Sequence, residues 1–120
     1  MIRMLTEAEC REAMEKGDFG ASLVSGPAAA IILTQSWCPQ WAAMKAYLEG
    51  IAKAAPALNI YYVEYDTAAW EGLENQAFMA FKEKSYRNRE IPYVRYYRNG
   101  GFSRDSNFVS AEGFKSRLGL

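Results

Sequence analysis

The sequence predicts an α/β fold in which a mixed sheet of four or five strands carries helices on both faces. Two apolar runs, 29–35 and 58–66, have the composition of buried strands, and an amphipathic helical pattern at 39–55 separates them. A strand–helix–strand unit of this kind requires a parallel pair with a right-handed crossover. The Asn-Gly-Gly sequence at 99–101 predicts a hairpin that adds antiparallel strands to the same sheet. With 120 residues, the chain fits a single domain, 1–120, around one core.

A helix is expected near the beginning of the chain. Thr6 and Glu9 form the capping box T-x-x-E, in which side-chain and backbone groups satisfy each other at a helix N-terminus. Small or apolar side chains recur on one face as far as Gly17, where the helix is expected to stop: Cys10, Ala13 and Met14. The next segment, ASLVS at 21–25, is compatible with a short strand or a loop, and the sequence does not decide between them.

The central helix is predicted to begin at a cysteine–proline junction. The strand AAIILTQ (29–35) ends shortly before Cys38, and Pro39 occupies the first helical turn, where proline is best tolerated. The helix at 39–55 has an apolar stripe at spacings of three and four: Trp41, Met44, Leu48, Ile51 and Ala55. Pro56 lies just beyond its end.

The second half of the chain is predicted to form a strand, a helix, a hairpin and a last helix. The strand LNIYYVEYD (58–66) is rich in aromatic and β-branched residues. The helix at 68–85 has an inner stripe: Trp70, Leu73, Ala77, Phe78 and Phe81. The hairpin covers 91–105, and Ser110 is expected to cap a short helix over 110–120.

The segment 82–104 is basic and aromatic. It contains seven cations and two anions with tyrosines between them. In its strand, alternation places Tyr93, Arg95 and Tyr97 on one face, and Val94, Tyr96 and Arg98 on the other. Neither face is cleanly apolar, so we expect a strand toward the sheet edge. The segment is interpreted as a solvated face with some partner contact, and nucleic-acid binding is not favoured.

The composition argues against several kinds of site and partner. Lys plus Arg and Asp plus Glu both number 14, so the overall charge points to no particular partner. The absence of histidine removes the commonest general base and zinc ligand, and two cysteines are too few for a cysteine-only metal site. The N-terminus turns acidic too early for a signal peptide, and the apolar stretch 21–33 is too short to span a bilayer. We expect a cytoplasmic protein with no metal and no bound cofactor.

A cysteine stands at the junction between the first core strand and its helix, in the sequence SWCPQW at 36–41. This junction resembles the active site of the thioredoxin family, whose signature W-C-x-x-C lies at the end of a strand and the start of a helix. Trp37 and Cys38 match the first half of that signature, and Pro39 matches the C-P-x-C form of glutaredoxins. The likeness extends over about residues 5–118 and implies a thioredoxin-like fold.

A second motif, REIPYVRYYRNG at 89–100, is similar to the family's segment with a cis proline, a strand and an NG turn. The resemblance implies that the bond between Ile91 and Pro92 is cis and lies against Cys38. It further implies that the adjacent backbone pairs with an incoming peptide or glutathione. Tyr93 replaces the small polar residue usual after the proline and would narrow this groove. The alternative is a structural turn without a ligand.

The sequence departs from the family pattern at the second cysteine, which is replaced by Trp41. Ile32 stands at about the place where many thioredoxins carry a buried acid, and the stretch between Cys38 and Pro92 is somewhat longer than in the smallest members. We expect the Cys38 sulfur to face solvent at the opening of the helix, where the first turn favours the thiolate, the reactive form of a cysteine. If Cys38 is reactive, it must work as a monothiol, through a mixed disulfide that an external thiol such as glutathione resolves. Its partners would be protein or peptide thiols and disulfides.

Several alternatives stay open at this point. The alternative to a reactive Cys38 is an inert, well-packed residue, which would make the protein a redox-inactive thioredoxin-like binding or scaffold protein. Trp41 is either a core residue or a roof over the thiol. Cys10 is expected in the core and unpaired with Cys38. The candidate substrate-binding residues are Trp37, Pro39, Trp41, Ile91, Pro92 and Tyr93.

Overall fold

The computed structural model describes all residues, 1–120, as five strands and five helices. In chain order these are β1 (Ile2–Met4), α1 (Glu7–Lys16), α2 (Ala21–Val24), β2 (Ala28–Thr34), α3 (Pro39–Ala54), β3 (Leu58–Glu64), α4 (Asn75–Ser85), β4 (Tyr93–Arg98), β5 (Gly101–Ser106) and α5 (Ala111–Arg117). None of these helices combines the length and the apolarity that a bilayer-crossing segment requires.

The strands form one mixed sheet in the order β1-β3-β2-β4-β5. β3 runs parallel to both β1 and β2, whereas β4 is antiparallel to β2 and to β5. Helices α1, α2 and α4 pack on one face of the sheet, and α3 and α5 pack on the other. The predicted fold class, a mixed sheet with helices on both faces, is therefore confirmed.

The central strand β2 divides the interior into two hydrophobic cores. Ala29, Ile31 and Leu33 point into a first core, which they share with α1, α2 and α4. The alternate residues Ala28, Ala30 and Ile32 point into a second core with α3 and α5. Every residue of β2 is buried, as its uninterrupted apolar run predicts.

The predicted helix caps are present. The amide of Glu9 donates to the Thr6 hydroxyl over 3.2 Å, and the amide of Thr6 donates to the Glu9 carboxylate over 2.8 Å. Gly17 ends α1 in the left-handed region with φ +85°, where glycine is unstrained. Ser110 caps α5 by accepting a hydrogen bond from the Gly113 amide.

Two short elements differ from the expectation. β1 was not predicted: it has only three residues and is recognisable by its pairing with β3, where Ile2 lies opposite Ile60. The segment 21–25 is neither strand nor loop, because 21–24 form a single helical turn. Leu23 and Val24 bury their side chains in the first core from that turn.

The predicted helix at 68–85 begins late, at Asn75. The amides of Glu71 and Gly72 donate to the two oxygens of the Glu7 carboxylate on α1, over 3.0 and 2.9 Å. These hydrogen bonds to a side chain of another helix hold the segment before Asn75 outside α4. The periodic pattern at 68–74 is nevertheless used, because Trp70 packs edge-on against the Phe78 ring.

β4 is not the edge strand that was expected, because β5 pairs with its outer side. All of its residues except Arg98 are buried. Its polar side chains satisfy one another inside the protein. The Arg95 guanidinium donates to the hydroxyls of Tyr97 (2.9 Å) and Tyr93 (3.0 Å) and to the carboxylate of Asp18 (3.1 Å). Burial raises the pKa of Tyr93 to about 12.

The expectation of a solvated basic face at 82–104 is therefore wrong for part of the segment. Arg95 lies between two aromatic rings, with its guanidinium carbon 3.9 Å from the ring centre of Tyr86 and 4.1 Å from that of Phe102. Lys82 is fully buried. The alternation predicted for the strand is nevertheless observed, since Tyr93 and Tyr97 share the first core and lie opposite Val94 and Tyr96.

Candidate functional site

Cys38 is the N-cap residue of α3, in an extended backbone conformation with φ −73° and ψ 117°. Its carbonyl accepts the first hydrogen bond of the helix, from the Ala42 amide over 3.1 Å. Pro39 is the first helical residue, as predicted, so its missing N–H removes no hydrogen bond from the helix. The sequence places the sulfur at the start of a 16-residue helix, where unpaired amides and the helix dipole favour negative charge.

The loop that carries Cys38 is fixed at the carboxyl ends of β2 and β3. The amide and hydroxyl of Ser36 donate to the two carboxylate oxygens of Asp66, over 2.8 and 2.6 Å. Partial removal of Asp66 from water would raise its pKa, but these hydrogen bonds outweigh that effect and lower the pKa below its ordinary value. The Cys38 amide donates to the Gln35 carbonyl over 3.3 Å, which closes the turn.

The second sequence motif meets the first at this point. The Ile91–Pro92 peptide bond is cis, and the Cys38 sulfur lies 3.8 Å from the Ile91 carbonyl oxygen. Residues separated by 53 positions in the chain are thus in contact. Ile91 belongs to neither a strand nor a helix and packs against both cores.

The expectation that the Cys38 sulfur faces solvent needs correction. Cys38 is only 4% exposed and packs in the second core with Ile32 and Trp41. The Ile91 carbonyl oxygen contacts the sulfur at 3.8 Å, so the approach of a substrate disulfide requires a local shift of the residues around Cys38. Ile32 stands where many thioredoxins carry a buried acid, and it contributes only an apolar side chain to this core.

Trp41 occupies the place of the second cysteine and is a core residue. It is 1% exposed, and its indole N–H donates to the Glu64 carboxylate over 2.7 Å. Its ring lies 5.4 Å from the ring of Tyr62, and the Lys45 ammonium lies 3.6 Å from the same carboxylate oxygen of Glu64. Of the two interpretations of Trp41, the buried and hydrogen-bonded position favours the core.

Trp37 is the most exposed large hydrophobic residue of the protein, at 66%. Its indole N–H donates to the Gln35 side-chain oxygen over 2.6 Å, and the Gln35 amide donates to the Tyr65 hydroxyl over 3.2 Å. The ring is therefore oriented by the protein while its surface stays open to solvent next to Cys38. An exposed aromatic ring of this kind is a suitable contact for a partner.

Tyr93 does not take the place that the resemblance gave it. Its side chain is fully buried in the first core, on the opposite face of the sheet from Cys38, and cannot narrow a groove beside Pro92. Alternation along β4 is the reason: Tyr93 and Val94 point to opposite faces, and the hydroxyl of Tyr93 is satisfied by Asp105 and Arg95. The other candidate residues lie at or next to the Cys38 turn: Trp37, Pro39, Trp41, Ile91 and Pro92.

The second cysteine of the chain is remote from this site. Cys10 is free, fully buried in the first core, and separated from Cys38 by the sheet. Burial raises the pKa of the Cys10 thiol to about 12, so it stays protonated near neutral pH. The expectation that Cys10 is an unpaired core residue is confirmed.

Three polar residues that the sequence did not single out hold the Ile91 segment. Lys82, Asn88 and Asn107, here called the asparagine clasp, are joined by side-chain hydrogen bonds that end on the Pro92 carbonyl. No motif marks them, because they are 19 and 6 positions apart and meet only when α4 and the β5–α5 connection fold together.

The site contains no metal-binding arrangement. No group of three or more cysteine, aspartate or glutamate side chains lies close enough to hold an ion, and the chain has no histidine. The chemistry available at Cys38 is that of a single thiol, a helix N-terminus and a neighbouring backbone carbonyl.

No protein-family model and no curated protein matches the sequence. The structure is similar to solved thioredoxins. Thioredoxin O2 from Arabidopsis thaliana, in the oxidized state, superposes with a TM-score of 0.65 and 17% sequence identity, over 98% of this chain and 91% of that one. For thioredoxin O1 from the same plant, the TM-score is 0.67 and the identity 15%, over 98% and 95% of the two chains.

A third similar structure is Trxlp from Edwardsiella tarda. Its TM-score is 0.63 and its identity 19%, with 98% of each chain covered. At these low identities the likeness establishes the fold, and the thioredoxin-like fold that the two sequence motifs implied is confirmed. What the site does must be argued from the site itself.

Proposed function

We propose that this protein is a monothiol thiol–disulfide exchange protein in which Cys38 forms a mixed disulfide with a protein or peptide. One observation carries the proposal: a free cysteine is the N-cap residue of a long helix beside the carbonyl of Ile91, and no second cysteine lies on its side of the sheet. The helix N-terminus supplies partial positive charge where a thiolate would form. Trp41 fills the resolving position, which leaves exchange with an external thiol as the route back.

The proposed reaction consists of two exchanges. The Cys38 thiolate attacks one sulfur of a substrate disulfide, a new bond forms between the two sulfurs, and the other sulfur leaves as a thiolate. The proton of the Cys38 thiol passes to solvent. An external low-molecular-weight thiol, such as glutathione, then attacks the mixed disulfide as its thiolate and releases Cys38. Over the two exchanges Cys38 is regenerated and one external thiol is consumed: one substrate sulfur leaves as a thiol and the other ends in a mixed disulfide with the external thiol, so no bound cofactor is needed.

The proposed contact surface for the substrate surrounds the Cys38 turn. It includes the exposed ring of Trp37, which precedes Cys38 in the chain, and the backbone of Ile91, whose carbonyl oxygen lies 3.8 Å from the Cys38 sulfur. Pairing between the Ile91 backbone and an extended peptide would bring a substrate sulfur toward Cys38. We expect this chemistry in a reducing compartment such as the cytoplasm, where free thiols persist.

The test is the alkylation of Cys38 by iodoacetamide as a function of pH, read by mass spectrometry of the 38-containing peptide. A reactive Cys38 should be alkylated faster than a free thiol at about pH 6–7. Oxidised glutathione should trap a single adduct at Cys38, which Cys38→Ser abolishes. Cys10 serves as an internal control and should remain unmodified. An alkylation midpoint at or above about pH 8.5, the free-cysteine value, would overturn the proposal.

The low exposure of Cys38 favours a second candidate, a thioredoxin-like binding or scaffold protein without redox turnover. In that case Cys38, which is 4% exposed, serves packing alone, and Trp37 provides the contact for a partner. This candidate predicts slow alkylation of Cys38 and a Cys38→Ser variant that binds its partner unchanged. Trapping of a mixed disulfide during partner binding would exclude it.

A further inference from the structure

Asn107 lies in the connection between β5 and α5 and bonds to two places in the segment 88–92. Its amide nitrogen donates to the Pro92 carbonyl over 3.0 Å and to the side-chain oxygen of Asn88 over 2.9 Å. Its amide oxygen accepts from the Asn88 amide nitrogen over 3.0 Å. Because the pairing of the two amides is reciprocal, neither side chain can turn without losing a hydrogen bond.

The same segment is fixed from α4 by Lys82. The buried ammonium donates to the Asn88 carbonyl over 2.9 Å, and the Asn88 side-chain oxygen also accepts from the Glu90 amide over 3.0 Å. Arg87, immediately before this segment, adopts φ +53°, which is unfavourable for a residue other than glycine. The local backbone would not prefer this path alone, so the side-chain bonds of the clasp are needed to hold it.

Asn107 is itself held against the rest of the protein. Its backbone carbonyl accepts from the Ser106 hydroxyl over 3.0 Å, and that hydroxyl is 2.9 Å from the Tyr96 hydroxyl on β4. Two residues further on, the Val109 carbonyl accepts from the Tyr47 hydroxyl on α3, over 2.9 Å. The clasp therefore places the Ile91 segment relative to α3, the helix that begins at Cys38.

We propose that Asn107 is a positioning residue that holds the backbone of Ile91 in register for a peptide substrate of Cys38. The inference rests on the proposed function and adds to it the group that orders the peptide-binding backbone. The Pro92 carbonyl accepts from the Asn107 amide over 3.0 Å, whereas the carbonyl of Ile91, one residue earlier, lies 3.8 Å from the Cys38 sulfur. An ordered Ile91 backbone speeds exchange with a substrate that has a peptide backbone to pair with it. A small disulfide without a peptide backbone gains no such rate increase.

The experiment compares two disulfide probes that share one leaving group. The first is a blocked pentapeptide whose central cysteine carries thionitrobenzoate, and the second is the mercaptoethanol–thionitrobenzoate disulfide. In both, Cys38 takes the peptide or mercaptoethanol sulfur and releases the coloured thiolate, the better leaving group. The ratio of the two second-order rate constants isolates the contribution of the peptide backbone.

In Asn107→Leu, which loses the amide at similar size, the ratio should fall about tenfold, the effect of reordering roughly one backbone residue on binding. The rate with the mercaptoethanol probe should stay the same or rise. Asn59→Leu is the matched control, because it makes the same substitution on β3, at a side chain that takes no part in the hydrogen bonds of the clasp. Its ratio should equal that of the wild type.

A ratio that stays within about twofold of the wild-type value in folded Asn107→Leu would overturn the inference, as would a wild type without preference for the peptide. If Asn107→Leu does not fold, Asn88→Ala replaces it, since it breaks the amide pair but leaves the bond to Pro92. Its ratio should fall about threefold, and an unchanged ratio again contradicts the proposal. Failure of the proposed function looks different, because the wild type would then react with neither probe faster than a free thiol.

Discussion

The buried lysine of α4 makes the stability of the protein depend on pH in a direction that is opposite to that of a paired lysine. Lys82 has no acidic partner within salt-bridge distance; its ammonium donates to the Asn88 carbonyl and lies 5.8 Å from the ring centre of Tyr93. Burial lowers the pKa of Lys82 to about 8. In the unfolded chain, the pKa of a lysine is about 10.4.

The sign and size of the effect follow from these two values. Between about pH 8 and pH 10.4 the unfolded chain binds a proton at Lys82 that the folded protein lacks, so stability rises with pH. Below that pH range Lys82 is charged in the folded protein as well, and burial of its ammonium lowers the free energy of unfolding in full. From pH 7 to pH 9 the free energy of unfolding should therefore increase by about 1 kcal/mol because of Lys82 alone.

The assay is urea unfolding at pH 7, 8 and 9 for the wild type, Lys82→Met and Lys84→Met. Other groups titrate in the same range; Cys10, with its pKa raised to about 12, makes the folded protein lose stability above the ordinary thiol value. That contribution is common to all three proteins and cancels in their differences. The unfolding free energy of Lys82→Met minus that of the wild type should fall by about 1 kcal/mol from pH 7 to pH 9.

Lys84→Met is the matched control, because Lys84 lies on the same helix and is exposed to solvent. Its stability relative to the wild type should not depend on pH. A difference between Lys82→Met and the wild type that stays constant within about 0.3 kcal/mol would mean that Lys82 is hydrated or paired, and the reasoning would be wrong.

Three further predictions concern the two thiols and the buried arginine. Trp41→Cys should form a reversible disulfide with Cys38 and gain insulin reductase activity, although loss of the large side chain should cost the reduced form about 3–5 kcal/mol in urea unfolding. Cys10→Ala should lower the unfolding free energy by about 1 kcal/mol and leave the alkylation rate of Cys38 unchanged. Asp18→Asn removes the carboxylate of Arg95; since the Asp18 side chain is 40% exposed, we expect a loss of about 2 kcal/mol in the same assay, below the usual range for a buried pair.

The elements that the sequence predicted well are those whose signals are local. The start of α3 follows from Pro39 and the end of α1 from Gly17, and both are set by backbone geometry within a few residues. The start of α4 could not be predicted in this way. The segment before it has helical periodicity, but its amides at 71 and 72 bond to Glu7 on α1, a contact between residues 64 and 65 positions apart.

The site was predictable to the extent that it depends on backbone position. The turn at Cys38 and the segment at Ile91 and Pro92 meet as the resemblance implied. The sequence alone could have corrected the expected direction of the Tyr93 side chain, because alternation already placed it on the same face as Arg95. The burial of that face was not predictable, because tyrosine and arginine look solvent-directed until their hydrogen-bonding partners are known.

Low exposure has different consequences for the two thiols of this chain. Cys10 and Cys38 are both buried, but Cys10 lies in the first core between α1 and the sheet, so a reagent reaches it only when a helix leaves the sheet. Cys38 lies at a loop–helix junction, and its sulfur contacts the Ile91 carbonyl oxygen at 3.8 Å. Displacing one loop breaks a few side-chain hydrogen bonds, whereas separating α1 exposes the apolar surface of a core. We therefore expect modification of Cys38 to require a local displacement at the loop–helix junction, and modification of Cys10 to require the separation of α1 from the sheet.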